Sequence, residues 1–141
     1  MEVSELVEIE HIKQLKARYF RFMDTKDWDR WGEVFTDSAT LQYGPDPGEV
    51  FEGKTAIVNG LSDILKDSVT VHHGHMPEIE IIGPTTATGV WAMEDFVDMP
   101  ELSLKGYGHY EEEYIKENGQ WKIAKLRLTR LRVDINADGQ E

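Results

Sequence analysis

The segment Val71-His72-His73-Gly74-His75-Met76-Pro77-Glu78 holds three of the chain's five histidines within four positions. An imidazole exchanges protons near neutral pH without special help, and it also ligates metals. The cluster therefore offers either proton transfer or a metal site. The segment reads as strand, where successive side chains point to opposite faces. His72 and Gly74 then face one way and His73 and His75 the other, unless a bulge at Gly74 intervenes. An inward His72 could serve as general base or acid if a carboxylate orients its other ring nitrogen. A structural role stays open for each histidine taken singly.

Other residues could join such a site. Near the C-terminus Ala124, Leu126, Leu128 and Arg130 share one strand face by the period of two. Arg130 is then either a cation pointing into an apolar cavity or a side chain snorkelling at the strand's end. Asp24 follows a helical run and lies about 140° from Tyr19 on an ideal helix. The two meet in one site only if the helix ends near Met23. Tyr107, His109 and Tyr110 lie on one strand with Gly106 and Gly108, and glycines there permit close approach of a ligand or another backbone. Together with Trp91 and His75 they are candidates for substrate binding, and packing on an oligomer face is the alternative for the tyrosines.

His73-x-His75 followed by Glu78 is similar to the His-x-His…Glu ligand set of cupin barrels, which suits iron, manganese or zinc. Cupins are all-β, however, whereas this chain begins with helices. The spacing to Glu78 is also short, and Pro77 intervenes. No metal ligands and no cofactor are assigned.

The elements that must position these residues follow from periodicity. Leu6, Ile9, Ile12, Leu15, Tyr19 and Phe22 recur at helical spacing, with Ser4 as a cap. A second helix starts at Asp27 and carries Trp28, Trp31, Val34 and Phe35. Strands are expected at 39–43 and 50–53, around the turn Gly44-Pro45-Asp46-Pro47-Gly48. A third helix spans 54–66. Strands follow at 69–75, 78–82, 85–97, 105–116 and 120–133, with turns at Gly83-Pro84 and Glu117-Asn118-Gly119. The pattern predicts a single α+β domain over 1–141: a cone-shaped, curved antiparallel sheet packed against three helices and enclosing a pocket. Residues 135–141 read as a frayed tail.

Composition narrows the partners. The 141 residues carry 27 Asp and Glu against 15 Lys and Arg, a formal charge of −12. That argues against nucleic acid or an anionic membrane, both of which need clustered cations. The absence of cysteine removes thiolate catalysis. The acidic N-terminus is unlike a targeting peptide, and a cytoplasmic location is the default expectation.

Three stretches carry a resemblance to a known family: 15–24 (LKARYFRFMD), 72–79 (HHGHMPEI) and 119–130, which opens Gly119-Gln120-Trp121. On these the chain resembles the nuclear transport factor 2-like superfamily, in its SnoaL-like and scytalone dehydratase-like branch. It is most similar there to bile acid 7α-dehydratases, and the order of aspartate, histidine and late arginine also matches hexachlorocyclohexane dehydrochlorinases. The resemblance implies that Tyr19, Asp24, His72 and Arg130 line the cone. Asp24 would orient His72, and His72 would remove a proton next to a carbonyl. Tyr19 would bind the carbonyl oxygen, and Arg130 would assist the leaving group. It implies a lyase without cofactor, acting on a small, mostly apolar carbonyl compound of steroid or polyketide type, in a homo-oligomer with a trimer favoured. His73 stands where the bile acid enzymes have an apolar residue, and 98–105 is shorter than theirs. The same cone serves isomerisation, polyketide cyclisation and simple ligand binding in the superfamily.

Overall fold

The computed structural model describes residues 1–44 and 48–137. Helix α1 (Val3–Asp24) begins the chain, followed by the short α2 (Trp28–Gly32). Strands β1 (Phe35–Tyr43) and β2 (Glu49–Glu52) precede α3 (Lys54–Leu65). Four long strands complete it: β3 (Val69–Gly83), β4 (Thr86–Asp98), β5 (Leu102–Glu117) and β6 (Gln120–Ala137). They form one curved, unclosed six-stranded sheet in the order β2-β1-β6-β5-β4-β3, with helices packed on it. Among the described residues no helix is long and apolar enough to cross a membrane.

The α+β architecture is as the sequence predicts, with one correction to the sheet. It is not wholly antiparallel, because β1 runs parallel to β6. The last strand returns through the middle of the sheet, beside the first. That placement is a long-range pairing with no local signature.

Several element boundaries also differ. Ser4 lies inside α1, whose N-cap is Glu2 without a side-chain cap bond. Asp27 does cap α2, accepting from the Arg30 amide at 3.3 Å. Phe35 belongs to β1 rather than α2, although Val34 and Phe35 are buried as expected. The predicted strands 69–75 and 78–82 are one strand interrupted by a bulge, where register shifts between His75 and Glu78 and Met76 adopts φ 46°. Thr70 and His72 face inward before the bulge, and Ile79 and Ile81 are the half-buried positions after it. One extra residue reverses the parity. The chain stays paired through Ile135 and Asn136, opposite Leu104 and Ser103, and the remainder of the expected frayed tail, 138–141, lies outside the described residues. Asn118 and Gly119 turn the β5–β6 hairpin with φ 51° and 78°, the positive pair a two-residue hairpin favours. Most of the Gly44–Gly48 turn lies outside the described residues.

The core lies between the helices and the concave face of the sheet. Ile12, Leu15 and Tyr19 of α1, Trp31 of α2 and Ile57 of α3 meet Tyr110, Tyr114 and Ile123. The apolar stripe of α1 also contains a cation, Lys16, fully buried.

Candidate active site

Helix α1 ends at Asp24, and Thr25 leaves the helical conformation with its amide bonded to Arg21. This termination lets the Asp24 carboxylate turn toward β3. Three donors hold it: His72 Nδ1 at 2.6 Å, the His72 amide at 2.8 Å and Thr70 Oγ1 at 2.9 Å. In the neutral imidazole, the Asp24 carboxylate favours the tautomer with the proton on Nδ1 and the lone pair on Nε2. The His72 side chain is only 8% exposed and lines a cavity of about 100 Å³. Tyr19, Tyr110, Asp95 and Arg130 share that cavity with apolar residues from α1, α3, β1 and β6.

Asp95 is a site residue that the sequence reading did not single out. It stands opposite His72 in the β3–β4 register, and its carboxylate lies 3.9 Å from His72 Nε2. Arg130 binds it through a two-bond fork, Nη1 to Oδ1 at 2.8 Å and Nη2 to Oδ2 at 2.9 Å. The fork spans strand β5 where Gly106 lies. A β-carbon on Gly106 would fall 1.6 Å from Arg130 Nη1 and 2.3 Å from Asp95 Oδ1. Gly106 is thus the close-approach glycine, and what approaches is an ion pair. Gly108 makes room for the Thr129 carbonyl, 1.9 Å from where its β-carbon would be, at the bulge beside Arg130. The pairing holds the Arg130 guanidinium protonated, above its ordinary value, chiefly through the Asp95 bonds. One signal for Asp95 existed: Ala87, Gly89, Trp91, Met93, Asp95 and Val97 alternate on the buried face of β4, and an acid in such a series needs a partner.

The phenols sit deeper. Tyr19 and Tyr110 pack edge to face with ring centroids 6.0 Å apart, and burial raises both phenols well above their usual range. They stay protonated and so can act as donors. Lys16 Nζ lies 3.7 Å from the centroids of both rings. Its ammonium pairs with Glu112, and Glu112 also accepts from Tyr114 Oη at 2.6 Å. Trp91 Nε1 donates to the same Tyr114 oxygen at 3.0 Å. Burial lowers Lys16 to about 8, against the attraction of Glu112. Lys16 and Glu112, like Asp95, escape a reading of the sequence because each is an isolated charge whose partner lies far along the chain.

The nine candidates of the sequence reading divide accordingly. The structure brings His72, Asp24, Tyr19, Arg130 and Tyr110 together. Trp91 faces inward but is committed to Tyr114 and the core, and it does not line the cavity. Tyr107, His109 and His75 correct the expectation: they stand on the other face of the sheet. Strand alternation puts Gly106, Gly108 and Tyr110 inside and the residues between them outside. For His75 the parity of β3 does the same, because the bulge falls after it.

A family model for the SnoaL-like domain matches residues 4–127. A probable cyclase of Gibberella zeae is 29% identical, covering 85% of this chain and 89% of that protein. Two solved structures share the fold. A scytalone dehydratase candidate from Novosphingobium aromaticivorans has a TM-score of 0.87 at 21% identity, covering 100% of this chain and 99% of that one. A hexachlorocyclohexane dehydrochlorinase from Novosphingobium barchaimii has a TM-score of 0.83 at 16% identity, covering 100% and 98%. With the helices, the curved sheet and the matched span in agreement, this chain belongs to the SnoaL-like domain family, within the nuclear transport factor 2-like superfamily.

Proposed function

We propose that this chain is a lyase that needs no cofactor, eliminating water or another β-substituent from a small, mostly apolar carbonyl compound. One observation carries the reading: His72 Nδ1 is bound by Asp24 at 2.6 Å while the imidazole borders a cavity holding two protonated phenols and an arginine. His72 Nε2 takes the proton from the carbon next to the carbonyl. Tyr19 donates to the oxygen as enolate charge develops. The electron pair then forms the carbon–carbon double bond and expels the β-substituent, to which the imidazolium returns the proton when a hydroxyl leaves. Arg130, oriented by Asp95, stabilises the departing group. Positioned acid–base groups contribute typically about 10²–10⁴ each, and a donor aimed at the developing oxyanion contributes a similar factor.

Cavity size refines the substrate. Sites for drug-sized ligands measure roughly 300–1,000 Å³, against about 100 Å³ here. The cavity admits the reacting end of a molecule, and a steroid or polyketide skeleton requires the mouth to widen around it.

An isomerase or cyclase using the same base is the second reading, favoured by the Gibberella relative named as a probable cyclase. Mass analysis of products from a panel of β-hydroxy and β-halo carbonyl compounds separates the two. Elimination gives a product lighter by water or hydrogen halide, whereas isomerisation or cyclisation without elimination leaves the mass unchanged. We further propose a homo-oligomer, since Val69, Val71 and Leu131 leave apolar surface exposed; the family resemblance favours a trimer over a dimer.

A further inference from the structure

The two outward histidines of β3 meet a third metal-binding group that no linear motif reveals. Glu94 on β4 stands directly opposite His73 in the register. Its Oε1 lies 3.5 Å from His73 Nδ1 and 3.6 Å from His75 Nε2. One donor atom from each of the three residues lies within 4.8 Å of the others. A tetrahedral zinc ion with bonds of about 2.0–2.1 Å needs neighbouring donor atoms about 3.3 Å apart. The three side chains thus stand within small rotations of that spacing, on the face opposite the cavity.

We propose that His73, His75 and Glu94 form a divalent transition-metal site of the zinc class. Two imidazoles and one carboxylate suit zinc, copper or nickel and disfavour magnesium and calcium, which take oxygen donors. Glu78, beyond the bulge, is not part of the set; the cross-strand Glu94 takes the place a linear reading gives it. The excess of acidic over basic residues, −12 overall, draws cations to the surface. All three ligands are exposed, so an ion has direct access and keeps coordination positions for water.

The location gives the ion a task. Among the described residues β3 is an edge strand, hydrogen-bonded to the sheet through β4. A metal joining His73 and His75 to Glu94 staples that edge, one residue from the inward pair His72 and Asp95. It fixes the spacing of the site's base and its facing carboxylate from the outer side, without entering the cavity. This inference stands apart from the elimination chemistry and holds whichever reaction the cavity performs.

The test is zinc titration of chelator-stripped full-length protein by calorimetry, with magnesium in parallel and thermal unfolding as a second readout. The expected result is one zinc ion per chain and a thermal midpoint that rises with zinc. His75→Ala and Glu94→Gln should each weaken binding by at least about tenfold, the lower end of what loss of even an outer partner costs a metal site. His72→Ala should bind as the unmodified protein does. Affinity should fall as acid protonates the imidazoles. The proposal is overturned if zinc does not saturate at one per chain or if magnesium binds equally well. It is also overturned if both ligand variants bind unchanged or if His72→Ala abolishes binding.

Discussion

The Arg130 guanidinium and the Asp95 carboxylate meet in a two-bond fork that passes over Gly106 of the strand between them. Side chains from β4 and β6 are adjacent only because β5 lacks a β-carbon at that point. The fork places a cation in the cavity while its charge is matched by an acid 3.9 Å from the candidate base. Two opposite charges can then flank His72 without either being left unpaired, which low-dielectric surroundings would penalise.

Gly106→Ala should therefore break the fork. The new methyl overlaps Arg130 Nη1, and overpacking of this kind costs typically about 1–3 kcal/mol. Thermal unfolding should show a midpoint lowered by a few degrees, and turnover should fall with it. An alanine variant with unchanged midpoint and activity would mean that Arg130 has room elsewhere and that its partner is dispensable.

The buried Lys16–Glu112 pair supports the phenols and should dominate local stability. Removing one member leaves an uncompensated charge, so Lys16→Met should lose about 3–5 kcal/mol in denaturant unfolding. Adding Glu112→Gln should recover most of that loss, since the amide oxygen can still accept from Tyr114. A double variant no more stable than the single one would show that the shape of the lysine, not its charge, matters.

The same lysine predicts a pH dependence. Burial lowers it to about 8, from an ordinary 10.5 that the unfolded chain retains. Between those values the unfolded chain binds the proton more, so this group makes stability rise with pH from about 8 to 10.5. The contribution should vanish in Lys16→Met. Equal slopes in the two proteins across that window would place the lysine's proton release outside it.

Asp24→Asn tests the orienting carboxylate. An amide at that position can donate to Nδ1 and favour the tautomer with its proton on Nε2, which removes the lone pair facing the cavity. Turnover should fall by about 10²–10⁴, measured by product formation at saturating substrate. Circular dichroism should show the fold retained. A loss confined to KM would assign Asp24 to binding instead.

Much of this arrangement is legible in local sequence, and what is missing has a common cause. Parity on a strand separates His72 from His73 and His75 because β3 is regular up to His75. The same rule misleads at Ala124, which the period of two groups with Leu126, Leu128 and Arg130. Ala124 is the extra residue at a bulge, since Ile123 pairs with Tyr114 and Lys125 with Glu113. Leu126, Leu128 and Arg130 do reach the cavity. Asp95, Lys16 and Glu112 escape notice because a single charge within an apolar series acquires meaning only from its partner. Those partners lie 35 residues away for Asp95 and 96 for the Lys16–Glu112 pair. Glu94 beside His73 is hidden for the same reason. The parallel pairing of β1 with β6, which closes the cavity with Leu41, Leu126 and Leu128, likewise has no local signal.

The central claim, that His72 removes a proton next to a carbonyl, is tested most directly by isotope exchange. Small cyclic and open-chain ketones incubated with protein in deuterium oxide should lose their α-proton signals in NMR, with loss in His72→Ala falling to the rate of buffer alone while that variant stays folded. A protein that exchanges none of these ketones faster than His72→Ala does would contradict the account.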